Sequence, residues 1–82
     1  MTDTNKRKVP RLRYWMGSEP NGCQMCGGAL GGKFVDGQIA GRGSWACMCI
    51  PCHAELGAGL GTGRGQLYEW DSHEHKWMKK GG

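Results

Sequence analysis

Apolar positions in this chain come in short runs broken by glycine, and their spacing predicts strands with one short helix. Residues 1–13 are polar and lack periodicity, so they read as a disordered basic arm. Tyr14, Trp15 and Met16 then form an aromatic transition expected to lie against the folded body, which spans 14–80. Lys33-Phe34-Val35-Asp36 has strand character, and Asp36-Gly37 reads as a turn, with a second strand beginning near Gln38. Gly41-Arg42-Gly43 marks another turn, and Ser44–Met48 reads as the strand that follows it. Pro51 suits the first turn of a helix that His53-Ala54-Glu55-Leu56 can continue and Gly57 can stop. From Gly57 to Gly65 every second residue is glycine, too flexible to form an element unless something clamps it. Gln66–Asp71 and Lys76–Lys79 predict a hairpin turning at Asp71 to His75.

Composition changes the picture by showing how little core is available. The chain has 82 residues, of which 16 are glycine. The apolar candidates for an interior are Leu30, Phe34, Val35, Ile39, Trp45, Leu56, Leu60, Leu67, Tyr68, Trp70, Trp77 and Met78. A unit this small buries too little surface to stand comfortably alone, and such domains add disulfides, a metal or a partner. Five cysteines is an odd number, which argues against a closed disulfide framework. No run approaches the roughly 20 apolar residues of a membrane span, and residues 1–22 lack the apolar stretch of a secretory signal. The expected compartment is a reducing cytoplasm, where paired cysteines bind metal.

Two Cys-x-x-Cys pairs, Cys23/Cys26 and Cys49/Cys52, stand 22 residues apart. Zinc favours four tetrahedral thiolate or imidazole ligands, and a site with all four filled is structural. One structural Zn²⁺ on these four cysteines is the expected cofactor. Cys23-Gln-Met-Cys26-Gly27-Gly28 has the form of a knuckle whose backbone N–H groups point at sulfur. Cys47 lies two positions before Cys49, so in a strand both point the same way and Cys47 could replace it; Cys49 has the better spacing to Cys52. His53 could join the metal shell, hydrogen-bond a thiolate, or be a helix residue only. Cys49-Ile-Pro-Cys52-His53 also matches covalent haem attachment, but that reading leaves Cys23 and Cys26 unexplained. The expected fold is a small zinc-stabilised β-rich (α+β) domain, a zinc-ribbon or treble-clef-like finger with short β-hairpins and one short helix after the second pair. Tyr68, Trp70 and Trp77 are expected to cover its metal core.

Several of these residues resemble small zinc-ribbon-like proteins encoded by bacteriophages and prophages. The resemblance covers roughly residues 14–80. It is carried by the two cysteine pairs, Phe34-Val35-Asp36-Gly37, Trp45-Ala46, Met48, His53, Tyr68, and above all Gly59-Leu60-Gly61-Thr62-Gly63-Arg64-Gly65-Gln66. It implies a phage accessory protein in the cytoplasm of a bacterial host, without implying an activity.

Charge bears on the partner. The first 16 residues carry five bases against Asp3, and the rest carry six bases against six acids, so the formal +4 resides entirely in the arm. Lys6, Arg7, Lys8, Arg11 and Arg13 are therefore the candidate contacts to DNA or RNA. A near-neutral body with four tryptophans instead suits a host or phage protein, docked through Trp15, Arg64, Tyr68 and Trp70 on an aromatic and glycine-loop face. The charge map places the protein partner slightly ahead. The glycine run fits neither nucleotide-binding signature. His73 and His75 lack the spacing of an HNH-like nuclease, so neither an enzyme nor a small-molecule substrate is expected.

Overall fold

The computed structural model describes residues 14–82; the basic arm expected over 1–13 lies outside the described residues. Lys33–Gln38 is β1 and Trp45–Met48 is β2, an antiparallel pair that reverses at Ala40 to Arg42. The turn expected at Asp36-Gly37 is absent, because both residues lie inside β1. Gly37 serves close approach instead. It pairs with Ala46 on one side and Gly65 on the other, and a methyl there would sit 3.2 Å from the Arg64 carbonyl oxygen.

Ile50–Leu56 forms α1 with Pro51 in its first turn, where a missing N–H costs no helical bond. Gly57 ends it as expected, but in an extended conformation (φ −84°) rather than a left-handed one. The chain then returns as β3 (Gly65–Asp71) and β4 (Lys76–Gly81), completing one four-stranded antiparallel sheet in the order β2-β1-β3-β4. Leu67 pairs with Gly81 but Tyr68 with Lys79, so Lys80 is the extra residue of a bulge. The Asp71 side chain closes the β3–β4 turn, its Oδ1 accepting from the N–H groups of His73 (2.9 Å) and Glu74 (3.0 Å). Tyr14 and Trp15 add a short pairing on the outer edge of β4, through Met78 and the Trp77 carbonyl.

Successive strand residues face opposite ways, and the sheet uses both sides. Phe34, fully buried, lies on one side against Trp77 (4.9 Å between centroids), Trp15 (5.3 Å) and Tyr68 (5.3 Å). Its neighbour Val35 points the other way with its partner Met48, which belongs to a cluster with Cys23, Ala46 and Cys49. The expected aromatic cover over the metal core is therefore corrected: Tyr68 and Trp77 cover Phe34 across the sheet from the cysteines. Trp45, Leu56, Leu60 and Trp70, expected inside, are exposed, whereas Met48 is fully buried. Met16 is 82 % exposed and contributes nothing to the interior. None of the helices among the described residues is long and apolar enough to cross a membrane.

Candidate metal centre

The first cysteine pair is shaped by its own backbone. Gly27 N–H donates to the Cys23 carbonyl (2.8 Å) and Cys23 N–H to the Gly28 carbonyl (2.9 Å), closing a tight turn. Gly27 adopts φ 77°, a left-handed conformation that residues with a Cβ rarely take. Within this turn Met25 and Cys26 N–H groups point at Cys23 Sγ (3.3 and 3.5 Å), and Gly28 N–H points at Cys26 Sγ (3.3 Å). These donors offset the negative charge that sulfur carries when it ligates a cation.

The second pair is placed by the end of β2 and the start of α1. Cys49 is the N-cap of the helix and Cys52 lies in its first turn. Strand β2 stops at Met48, so the alternation that would align Cys47 with Cys49 ends one residue too early. Cys49 turns toward the first pair, while Cys47 stays in the strand opposite Asp36. The four sulfurs of Cys23, Cys26, Cys49 and Cys52 lie within 4.8 Å of one another, with Cys26 and Cys49 at 3.9 Å. A tetrahedral ion with metal–sulfur bonds near 2.3 Å needs sulfurs about 3.8 Å apart. The donor set and its spacing fit one such ion, and all five cysteines are free thiols. Cys23 and Cys49 are buried, Cys52 is half-buried and Cys26 forms the exposed corner.

Protons are shared unequally among the thiols. Burial raises Cys23, but N–H donors from Cys49, Cys26 and Met25 outweigh it and bring the thiol down to about 6. Cys52 is pushed up to about 12, chiefly by its hydrogen bond to Cys49. Cys47 is pushed up to about 11 by burial and by the nearby charges of Asp36 and Cys23, so it remains a neutral thiol. Its backbone makes two bonds: Cys47 N–H donates to Gln24 Oε1 (2.7 Å) and its carbonyl accepts from Gln24 N–H (2.9 Å). Gln24 thus fastens the first cysteine turn to the free edge of β2. Sequence reasoning missed Gln24, because any side chain fits between two knuckle cysteines.

His53 stays out of the sulfur cluster and shares a hydrogen bond with the Gly59 carbonyl (3.1 Å between Nε2 and oxygen). This contact begins the clamp that the glycine block lacked in sequence. Ala58 N–H donates to Gln38, Gln38 N–H to Arg64, and Gly61 exchanges bonds with Gly65. Among the residues proposed for docking, Tyr68 is buried in the aromatic cluster and Trp15 is half-buried against it. Trp70 is exposed beside Trp77 and His75, and Arg64 is exposed over the glycine block. Arg64 directly precedes β3 and Trp70 lies near its far end, about 20 Å away along the strand. The proposed nucleic-acid contacts Lys6, Arg7, Lys8, Arg11 and Arg13 lie outside the described residues. His73 and His75 sit in the β3–β4 turn, apart from the cysteines. Comparison with protein-family models, curated proteins and solved structures returns no match to this chain.

Proposed function

We propose that this chain is a recognition module held together by one structural zinc on Cys23, Cys26, Cys49 and Cys52, with no catalytic chemistry of its own. The observation that carries the reading is the approach of four sulfurs to within 4.8 Å. Four protein ligands leave no coordination position for water or substrate. Only Phe34, Val35 and Met48 are large side chains fully buried among the described residues, each worth about 1.5–3 kcal/mol. A structural zinc contributes about 10–16 kcal/mol in finger peptides, so the metal is the larger stabiliser. A knuckle, a hairpin and a helix start follow one another in the chain, an order that supports a treble-clef-like finger over a plain ribbon.

The partner we favour is nucleic acid. Five bases between Lys6 and Arg13 lead directly into Tyr14, which is fastened to β4, and β4 itself carries Lys76, Lys79 and Lys80. Protein docking through Trp15, Arg64, Tyr68 and Trp70 has less support, because Tyr68 is buried and Trp15 is half-buried. The accessory role in a phage-infected bacterium that the resemblance implies suits such a module, and its reducing cytoplasm would keep the thiols available.

Elemental analysis tests the metal: one zinc per chain is expected, and tetrahedral sulfur sites that carry iron give a coloured protein instead. Binding to a labelled oligonucleotide over a salt series tests the partner. Engagement of about five phosphates gives a log–log slope of about −4.5 on duplex DNA or about −3.5 on a single strand, and deleting residues 1–13 flattens it. Binding that ignores both salt and the deletion removes the nucleic-acid reading.

A further inference from the structure

We infer that Cys26 is a modification site for peroxide, whose oxidised sulfur is then bonded by Cys49 Sγ, opening the cysteine centre. The inference goes beyond the metal reading above and rests on it. Cys26 is the exposed corner of the sulfur cluster, whereas Cys23 and Cys49 are buried and Cys52 is half-buried. Its Sγ lies in the knuckle turn, accepting from the Gly28 N–H at 3.3 Å. A small oxidant arriving from solvent meets this sulfur first, since oxidation of cysteine follows thiolate character and exposure.

Geometry and one proline select the bonding partner. Cys49 is 8 % exposed, and its Sγ lies 3.9 Å from Cys26 Sγ. A disulfide is about 2.05 Å long, so the two sulfurs need to close by about 1.9 Å. The rival is Cys23, but the N–H groups of Met25 and Cys26 point at its sulfur, at 3.3 and 3.5 Å. The counterpart of Met25 in the second pair is Pro51, two positions after Cys49, and proline has no N–H to give. Hydrogen bonds donated to a thiolate stabilise its charge and weaken its attack. Cys49 therefore keeps the stronger nucleophile.

The chemistry balances on two electrons. The Cys26 thiolate attacks one oxygen of hydrogen peroxide, the O–O bond breaks, hydroxide leaves and the sulfur becomes a sulfenic acid. The Cys49 thiolate then attacks that sulfur, the S–O bond breaks, a second hydroxide leaves and the S–S bond forms. Each sulfur gives up one electron, the peroxide takes both, and the two hydroxides draw protons from solvent. Cys23 and Cys52 are then the remaining thiolates, too few for an ion that takes four ligands. The new bond joins the knuckle to the N-cap of α1, so the two halves of the centre stay linked after the metal has gone.

The test exposes the zinc-loaded full chain to hydrogen peroxide. An indicator dye follows released metal, a dimedone label traps sulfenic acid, and peptide mass mapping locates the cross-link. About one ion is expected to leave per peroxide consumed, with the label on Cys26 and a Cys26–Cys49 bond as the first cross-link. Pro51→Ala, at an exposed position, returns an N–H to the second pair; it is expected to load zinc normally and to slow the cross-link several-fold. A first cross-link within either pair or between Cys26 and Cys52 overturns the inference, as does a label on another cysteine or an unchanged rate in Pro51→Ala. Should the purified chain carry no metal, the metal reading falls, while the same map on that chain still decides the Cys26–Cys49 pairing.

Discussion

Gln24 and Cys47 hold each other by two hydrogen bonds, side-chain oxygen to N–H at 2.7 Å and N–H to carbonyl at 2.9 Å. The pair imitates one rung of a β-ladder and joins the metal-binding turn to an edge strand that would otherwise present free backbone groups. Replacing Gln24 with Ala removes half of the rung. The expected cost is about 0.5–1 kcal/mol, at the low end because water can reach the site. Hydrogen exchange at the Cys47 amide should accelerate, and unchanged protection would show that the rung does not matter.

The five cysteines should divide cleanly by metal content. Ser at position 23, 26, 49 or 52 is expected to lose zinc and, with it, the near-ultraviolet signature of the packed tryptophans. Cys47→Ser keeps one zinc per chain, because Cys47 faces Asp36 outside the sulfur cluster. In the native protein Cys47 should also resist alkylation at neutral pH, its thiol being held at about 11 by burial first and then by neighbouring negative charge. A zinc-free Cys47→Ser protein would move the ligand assignment.

Two glycines separate steric need from conformational need. Gly57 has an ordinary φ of −84°, yet a methyl there would fall on the His53 ring and lie 2.8 Å from the His53 carbonyl oxygen. Gly57→Ala should therefore cost about 1–3 kcal/mol and release the His53–Gly59 contact. Gly63 has open space around it but φ 78°, so Gly63→Ala should cost about 1–2 kcal/mol with no effect on His53. Without the clash, alanine at 57 would instead gain about 0.4–1 kcal/mol from unfolded-chain entropy. Chemical denaturation decides the sign.

Asp71 gives a pH dependence at the β3–β4 turn. The backbone N–H of Glu74 holds its carboxyl below the usual range, against a burial effect, with further help from His73. A depressed folded-state value means that the carboxylate stabilises the fold above the ordinary value of about 3.9, and that this contribution is lost as pH falls through the lower, folded value. Asp71→Ala should lower the melting temperature at pH 7, and its gap to the native protein should shrink as pH approaches and passes below that range. Reading the gap between two chains cancels proton competition at the cysteine cluster that both share. A gap independent of pH would mean that the charge of Asp71 plays no part in the turn.

Much of the centre was legible because ligand chemistry is local. Two Cys-x-x-Cys pairs, a glycine after the first and a proline inside the second named the four sulfurs, the knuckle and the helix that starts at the sulfur cluster. The β3–β4 hairpin was equally readable from Gln66 to Lys79, since its turn is closed by the side chain at its own first position. Asp36-Gly37 misled for the same reason: the pair has the local chemistry of a turn, and only the presence of Gly65 alongside explains why a glycine stands in mid-strand.

By themselves, then, the residues determined which four cysteines make up the candidate metal centre, the mixture of strands with one short helix, and the placement of net charge in the arm. Tertiary structure decided which side of the sheet the aromatics occupy, that Cys47 stands apart from Cys49, that His53 clamps a glycine block, and that Gln24 ties a knuckle to a strand. The reason is physical. Ligand spacing and turn formation are settled within a few bonds, whereas pleat parity and cross-strand pairing depend on where β2 ends and which distant strand arrives beside it.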